Sequence, residues 1–240
     1  MEFVLDTHTH SLVSGHAYST LKEMIDTARE KDLKLLAVTE HGPAIKGTTS
    51  EMYYYNLKVV PRRYGDLELM LGTEANIIDF TGGLDIGAKT IRCVDYIVAS
   101  MHMYAIAPGT YEENTAAYLG ALRNPGVNTI GHPDDGRYPF DMEALVKGAK
   151  ETGTLLELNN SSLMPKCSRL NAWENDKAML LLCKEMSVPI VVDSDAHICY
   201  DVGNFTQARK LLEEVNFPEK LVANTSVEKF KELLAAKKGR

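Results

Sequence analysis

The stretch Asp6-Thr7-His8-Thr9-His10 follows the short apolar run Phe3-Val4-Leu5 near the start of the chain. Side chains alternate between the two faces of a β-strand, so this stretch predicts that Asp6, His8 and His10 point the same way where a first strand ends. Imidazole is a common zinc ligand, and His-x-His on one strand face brings two donors to one ion. A lone His-x-His is more often a surface pair or a core pair than a metal site, so the metal interpretation needs support from the rest of the chain.

The same pattern, an apolar run followed by polar residues, recurs along the chain. Six further strands are predicted, over 33–39, 67–71, 96–100, 127–130, 154–158 and 189–192. Capping residues such as Thr20, Thr110 and Asp141, followed by apolar residues at helical spacing, predict helices between them. Polar clusters follow nearly all of the strands instead of gathering at one crevice, which favours a closed (β/α) barrel over an open doubly wound sheet. The sequence therefore predicts an α/β fold, one barrel domain over residues 1–240.

The histidines are sorted to one end of the predicted strands. Six of the seven lie at or just past the carboxyl end of a strand and the seventh follows the first strand in a loop: His8, His10, His41, His102, His132 and His197, with His16 as the seventh. Glu74 and Asp195 occupy the same positions on their own strands. The carboxyl ends of barrel strands form one rim, so these side chains are predicted to face one cavity and to bind metal.

Composition sets the broad class of the protein. A chain of 240 residues can bury a sizeable core without disulfides, and its four cysteines contain no Cys-x-x-Cys pair. No signal peptide opens the chain, and the longest apolar stretch, 178–183, is far too short to span a bilayer. The sequence thus predicts a soluble cytoplasmic protein without membrane partners. The net charge of -7 disfavours nucleic acid as a partner.

At the level of motifs, the chain resembles the PHP (polymerase and histidinol phosphatase) family, particularly its stand-alone, YcdX-type bacterial phosphatases. The motifs that carry the resemblance span nearly the whole chain: Asp6-Thr7-His8-Thr9-His10, Thr39-Glu40-His41-Gly42, Gly72-Thr73-Glu74-Ala75-Asn76, Met101-His102, Gly131-His132-Pro133, Glu157-Leu158-Asn159-Asn160-Ser161-Ser162 and Ser194-Asp195-Ala196-His197. Such a set of motifs in this order is highly specific.

The resemblance implies a distorted seven-stranded, TIM-like barrel that holds three divalent ions, usually zinc and sometimes manganese or iron. By position, the implied ligands of the first ion are His8, His10, Glu74 and Asp195, those of the second are Glu74 as a bridge, His102 and His132, and those of the third are His16, His41 and His197. Glu74, Asp195 and His197 are expected to matter most for catalysis. Nine ligands for three ions leave coordination sites open for water and substrate.

The chemistry of such a cluster indicates a phosphatase. Three divalent ions and two carboxylates carry a net charge of about +4, which a hydroxide and a phosphate dianion would balance. Water bound to such ions has a pKa lowered to about 7, so the hypothesis is in-line attack of a metal-bound hydroxide on the phosphate monoester of a small soluble metabolite. No side-chain nucleophile is needed.

Several alternatives stay open at this point. The substrate could be histidinol phosphate, or the enzyme could be a phosphodiesterase or exonuclease, although no basic groove is evident. An amide hydrolase on a barrel commonly uses a bridging lysine, and no lysine lies at a strand end. A non-enzymatic metal-binding module would be expected to have a closed site instead. The oligomeric state is open.

Charged residues near the predicted rim have less certain roles. Asp6 is a candidate for orienting a histidine, Glu40 is either solvated or hydrogen-bonded behind the ligands, and Asp193 is either such an acceptor or a strand-end charge. The basic residues of the rim loops either grip a phosphate or are surface cations: Lys46, Arg137, Lys166 and Arg169.

Overall fold

Seven parallel strands follow one another around a barrel in the computed structural model, which describes residues 1–238. The parallel strands are β1 (Leu5–Asp6), β2 (Leu35–His41), β4 (Leu67–Asn76), β5 (Ile97–Ser100), β6 (Thr129–Ile130), β7 (Leu155–Asn159) and β8 (Ile190–Asp193). They pair in the order β1-β2-β4-β5-β6-β7-β8, and the short β3 (Arg63–Tyr64) pairs antiparallel with β4. Consecutive parallel neighbours of this kind are the signature of a βα barrel.

Eight α-helices lie in the described part of the chain. They are α1 (Leu21–Glu30), α2 (Glu51–Tyr55), α3 (Ala88–Cys93), α4 (Tyr111–Arg123), α5 (Met142–Thr152), α6 (Ala172–Met186), α7 (Thr206–Glu214) and α8 (Val227–Lys238). The predicted caps are confirmed, since Thr20 and Thr110 form capping boxes with Glu23 and Glu113, and Asp141 accepts from Ala144 N–H. None of the helices within residues 1–238 combines the length and apolar composition needed to cross a bilayer.

The amino end of the barrel is filled by apolar side chains. Alternate strand residues form one buried cluster in its interior: Leu5, Leu35, Ala37, Tyr96, Val98, Leu155 and Val191. Helix α8 covers this end, and its Phe230 ring lies 5.6 Å from the Tyr96 ring. Because one end of the interior is closed by packed hydrocarbon, polar chemistry is confined to the carboxyl ends of the strands.

The barrel is distorted where β1 meets β8, because no continuous ladder joins these strands. The Asn224 side chain spans the gap, donating to Leu5 O (3.0 Å) and Val192 O (2.6 Å) and accepting from Val192 N–H (2.7 Å). Closer to the rim, Thr7 N–H donates to the Asp193 carboxylate at 2.5 Å. A single parallel bridge between Thr9 and Ala196 completes the seam. Side-chain hydrogen bonds therefore join β1 to β8, whereas backbone hydrogen bonds join the other neighbouring strands of the barrel.

The structure confirms the predicted distorted seven-stranded barrel, and it adds elements that the sequence patterns did not indicate. β3 and α3 are too short for a periodic signal, with two and six residues. At the carboxyl end, α8 continues to Lys238, and the buried Lys237 donates to Thr154 Oγ1. Residues 239 and 240 lie outside the described part.

We expect Asn224→Ala to lower the free energy of unfolding by about 3 kcal/mol, since it removes three hydrogen bonds and leaves buried backbone groups of β1 and β8 unpaired. Urea unfolding followed by circular dichroism measures the change. Asn56→Ala, at an exposed position, serves as the matched control. Equal midpoints for the two variants would show that the seam does not depend on Asn224.

Candidate metal centre

The Glu74 carboxylate lies at the centre of the rim, surrounded by five histidines. Its Oε2 lies 3.3 Å from His8 Nε2, 3.5 Å from His10 Nε2 and 2.7 Å from His41 Nδ1, and its Oε1 lies 3.2 Å from His102 Nε2 and 2.7 Å from His132 Nε2. Glu74 is 1 % exposed. A buried carboxylate that faces so many nitrogens from both oxygens is suited to bridge two cations.

Asp195 and two further histidines extend the cluster. Asp195 Oδ1 lies 3.3 Å from His10 Nε2 and 3.5 Å from His197 Nδ1. His197 Nε2 lies 2.9 Å from His16 Nε2. The structure thus brings all nine residues that the sequence singled out into one continuous cluster.

The side chains of His16 and His197 are arranged to share a cation. The Nδ1 atom of His16 is 3.1 Å from Ser14 O, and that of His197 is 3.0 Å from Asp195 O. Carbonyl oxygens only accept, so both Nδ1 atoms carry the proton in the neutral rings. Both Nε2 lone pairs then face each other, and this arrangement is repulsive unless a proton or a metal ion lies between them.

Unpaired buried atoms support the same conclusion. Within residues 1–238, four buried ligand-type atoms of the cluster lie close to one another but lack the angles of a hydrogen bond: His8 Nε2, His10 Nε2, His41 Nδ1 and Glu74 Oε2. Buried polar atoms are costly unless they are paired. Three-residue sets with donor atoms within 4.8 Å of one another are His8-His10-Glu74, His10-His41-His197 and His41-Glu74-His102. The residues therefore fit divalent metal ions.

Residues behind the histidines fix which nitrogen faces the cluster. Glu157 Oε1 lies 2.6 Å from His8 Nδ1, and Asn76 Oδ1 lies 2.8 Å from His102 Nδ1. Ser14 Oγ lies 2.9 Å from His10 Nδ1. Each contact assigns the proton to Nδ1 and leaves Nε2 free for a metal, the usual arrangement around metal-binding histidines.

The charged neighbours within the cluster shift its pKa values in both directions. Burial raises the pKa of Glu74, but the neighbouring histidines, first among them His102, outweigh burial and hold this pKa well below its usual value. Burial, with two further histidines nearby, lowers the pKa of His10 well below its usual value. Burial also lowers the pKa of His8, but the surrounding carboxylates, first among them Glu157, outweigh burial and raise it well above its usual value. Metals bind an ionised carboxylate and a neutral imidazole, so a metal ion would displace a proton from His8.

Backbone strain accompanies two of the candidate ligands. His132 has a φ of 28° and Asp195 a φ of 53°, values that residues other than glycine rarely adopt. His132 N–H is held by Glu157 Oε2 at 2.6 Å. Just before it, a Cβ at Gly131 would lie 2.3 Å from Ser100 Oγ, so only glycine fits. Strained residues of this kind cluster at functional sites.

The structure decides the roles of two acidic residues outside the ligand set, Asp6 and Glu40. Asp6 does not orient a histidine: strand β1 ends at Asp6, so the alternation does not continue to His8, and the Asp6 carboxylate accepts from Ser194 and Gly203. Glu40 is buried and accepts from Ser14 Oγ at 2.6 Å, so the hydrogen-bonded alternative is confirmed.

Two further carboxylates complete this comparison. Asp193 binds Thr7 at the barrel seam and orients no histidine. Glu157 was assigned no role from the sequence, although its position at the end of β7 matches that of the candidate ligands on other strands. Glu157 and Asn159 lie two residues apart at the end of β7, so their side chains take the same face of the strand. This alternation is the sequence pattern that could have identified Glu157.

The cluster opens into a cavity with two connected lobes. A polar lobe of about 390 Å³ is lined by Arg137, Ser161 and Arg169 beside the histidines. A second lobe of about 780 Å³ is lined by Ile45, Lys46 and other residues of the rim loops. Lys166, the fourth basic residue of the rim loops, lies within the described residues but lines neither lobe. A larger apolar groove of about 830 Å³ elsewhere contains no histidine, so it is not the metal centre.

Comparison with known proteins identifies the family. The PHP domain matches residues 6–161, which contain seven of the nine candidate ligands. The chain belongs to the PHP family. A protein of Acetivibrio thermocellus with the name "Probable phosphatase" is 45% identical to this PHP chain over 240 residues, covering 100% of the chain and 98% of the relative. A protein of Clostridium novyi, also named as a probable phosphatase, is 41% identical over 237 residues, covering 99% and 96%.

A solved PHP-type barrel supports the fold. The crystal structure of histidinol phosphate phosphatase from Lactococcus lactis, complexed with zinc, L-histidinol and phosphate, superposes with a TM-score of 0.59 at 16% identity. The match covers 89% of this PHP chain and 94% of the solved chain. At this identity the similarity concerns the barrel and not the substrate.

We expect Glu157→Gln to weaken zinc binding by about 10- to 100-fold, because losing the carboxylate that orients a metal-binding histidine typically costs this much. Competition with a chromophoric chelator measures the apparent affinity. Glu112→Gln, on the exposed surface of α4, is the control. If Glu157→Gln bound zinc as tightly as this control, the proposed orientation of His8 would be wrong.

Proposed function

We propose that this PHP chain hydrolyses the phosphate monoester of a small soluble metabolite at a cluster of divalent metal ions. One observation carries the proposal. Buried histidine nitrogens that lack hydrogen-bond geometry converge on the Glu74 carboxylate, beside an open cavity lined by two arginines. The proposed metal ligands are His8, His10, His16, His41, Glu74, His102, His132, Asp195 and His197.

The arrangement of donors supports more than one ion. Glu74 presents each oxygen to a different group of histidines, and His16 and His197 lie on the far side of His41. Three ions, most simply zinc, with Glu74 as a bridge, are part of the proposal. Two of the three compact sets, His10-His41-His197 and His41-Glu74-His102, combine residues that the family resemblance gives to different ions. His10 and His41 are therefore the residues that would lie between neighbouring ions.

Divalent ions bound here would supply Lewis-acid activation of water and neutralise charge on the phosphate oxygens. The chain's own residues contact the Nδ1 atoms, through Glu157, Asn76 and Ser14, and so turn the Nε2 atoms of three histidines towards the cluster. Burial excludes bulk water from Glu74, which strengthens every charge interaction around it. No side-chain nucleophile is required by this arrangement.

Arg169 and Arg137 are the proposed phosphate-binding cations. Arg169 donates to Ser162 Oγ at 2.8 Å and lies 3.4 Å from Asp195 Oδ2, so its guanidinium is held at the edge of the cluster. Arg137 is fixed by Asp135 through its Nε at 2.9 Å. Guanidinium groups match phosphate oxygens in geometry and charge. A dianionic monoester suits two arginines and a cationic cluster better than a monoanionic diester does.

The first test compares an aryl phosphate monoester with the matching diester, using zinc-loaded protein near neutral pH. We expect phosphate release from the monoester, little from the diester, and loss of both after chelation. Glu74→Ala should lower kcat/KM about 1000-fold, because bound metal ions would lower the activation barrier by several kcal/mol and this variant would bind them poorly.

Cys167→Ser is the control for covalent catalysis, since Cys167 lines the polar lobe. It should retain full turnover. A phosphorylated residue trapped during turnover would contradict hydrolysis by water, and preferred cleavage of the diester would contradict the monoester assignment.

We expect Arg169→Met to lower kcat/KM for a monoester by roughly 10- to 100-fold, since a hydrogen bond to a charged group contributes about 1.5–3 kcal/mol. Metal content, measured by mass spectrometry, should not change. Arg123→Met, an exposed position at the end of α4, is the matched control. Unchanged kinetics for Arg169→Met would remove Arg169 from phosphate binding.

A further inference from the structure

The two lobes of the cavity meet at the metal centre. Five residues line both lobes: His16, His41, His102, Met103 and Tyr104. Both candidate phosphate-binding arginines line only the polar lobe. A phosphoryl group held at the histidines therefore has the arginines on one side and the second lobe on the other. This leaves the second lobe as the space for the rest of the ester.

Four of the eight residues that line the second lobe are apolar or aromatic. Ala44 and Ile45 come from the loop after β2, and Met103 and Tyr104 come from the loop after β5. Tyr104 is 85 % exposed and Met103 is 45 % exposed. Large exposed apolar side chains beside a functional site commonly mark where an apolar part of a ligand binds.

The charge of this lobe is one-sided. Lys46 is its charged residue apart from the histidines, and within residues 1–238 no Asp or Glu lines it. Asp85 lies behind the loop, but its carboxylate accepts from Ala44 N–H at 2.9 Å and from Asn76 at 2.6 Å. A bound ammonium group would therefore meet a lysine and the cationic centre without a compensating carboxylate.

We propose that the second lobe selects an apolar leaving group that carries a negative charge, which pairs with Lys46, and that it disfavours leaving groups with an ammonium. This inference rests on the proposed phosphatase function and specifies its substrate class. Hydrolysis breaks the bond between phosphorus and the leaving oxygen, water supplies the new phosphate oxygen, and one water proton passes to the leaving oxygen.

Three aryl phosphates with similar intrinsic reactivity test the proposal. They are 4-ethylphenyl phosphate, 4-(2-carboxyethyl)phenyl phosphate and 4-(2-aminoethyl)phenyl phosphate, which carry a neutral, an anionic and a cationic substituent. With zinc-loaded protein at low salt, we expect kcat/KM for the anionic ester to exceed that for the cationic ester about tenfold. The preference should shrink as salt screens the charges.

Variants of Lys46 locate the origin of the preference. Lys46→Met should bring the ratio of anionic to cationic kcat/KM close to one, and Lys46→Glu should reverse it. Because the ratio is taken within each variant, a general loss of activity does not affect it. Lys34→Glu, an exposed change of the same charge on another surface, should keep the wild-type ratio.

The outcomes separate the two proposals. Turnover of all three esters with a ratio near one, or a preference for the cationic ester, would overturn the inference and leave the phosphatase function standing. A wild-type preference that Lys46→Glu does not change would overturn the role of Lys46. Turnover of none of the esters by zinc-loaded protein would overturn the proposed function itself.

Discussion

The cost of burying unpaired donor atoms around Glu74 is the constraint on which this structure depends. Seven imidazoles and two carboxylates share one rim, and several of their ligand atoms have no hydrogen-bond partner within residues 1–238. His16 and His197 direct lone pairs at each other over 2.9 Å. Such an arrangement is unfavourable by itself and becomes favourable when divalent cations occupy it. The fold must therefore supply enough stability elsewhere to hold these residues in place.

That stability comes from the opposite end and the seam of the barrel. The amino end is filled with apolar side chains and covered by α8. At the seam, Asn224 and Asp193 join β1 to β8 where a strand ladder is missing. Next to His8 and His10 the seam is closed by backbone hydrogen bonds, from Asp195 N–H to His8 O (2.9 Å) and from His10 N–H to Ala196 O (2.8 Å). This pairing holds the first two candidate ligands beside Asp195.

The cavity gives the centre its proposed selectivity. Arg137 and Arg169 lie on one side of the histidines, and the apolar lobe with Lys46 lies on the other. Asp135 and Asp195 hold the two arginines, so the phosphate side is rigid. On the leaving-group side, Lys46 and Tyr104 are exposed loop residues, whereas Ile45 is buried.

The sequence by itself determined the strand order, the helix caps and the set of nine candidate ligands, because strand ends of a parallel barrel converge whatever their loops do. Only the tertiary structure decided the roles of Asp6, Glu157 and Asp193. Asp6 turns to Ser194 because β1 ends there, and Glu157 reaches His8 across the barrel, 149 residues away in sequence. Local periodicity specifies which face a residue takes within a strand, but it holds no information on where a strand ends or what lies opposite.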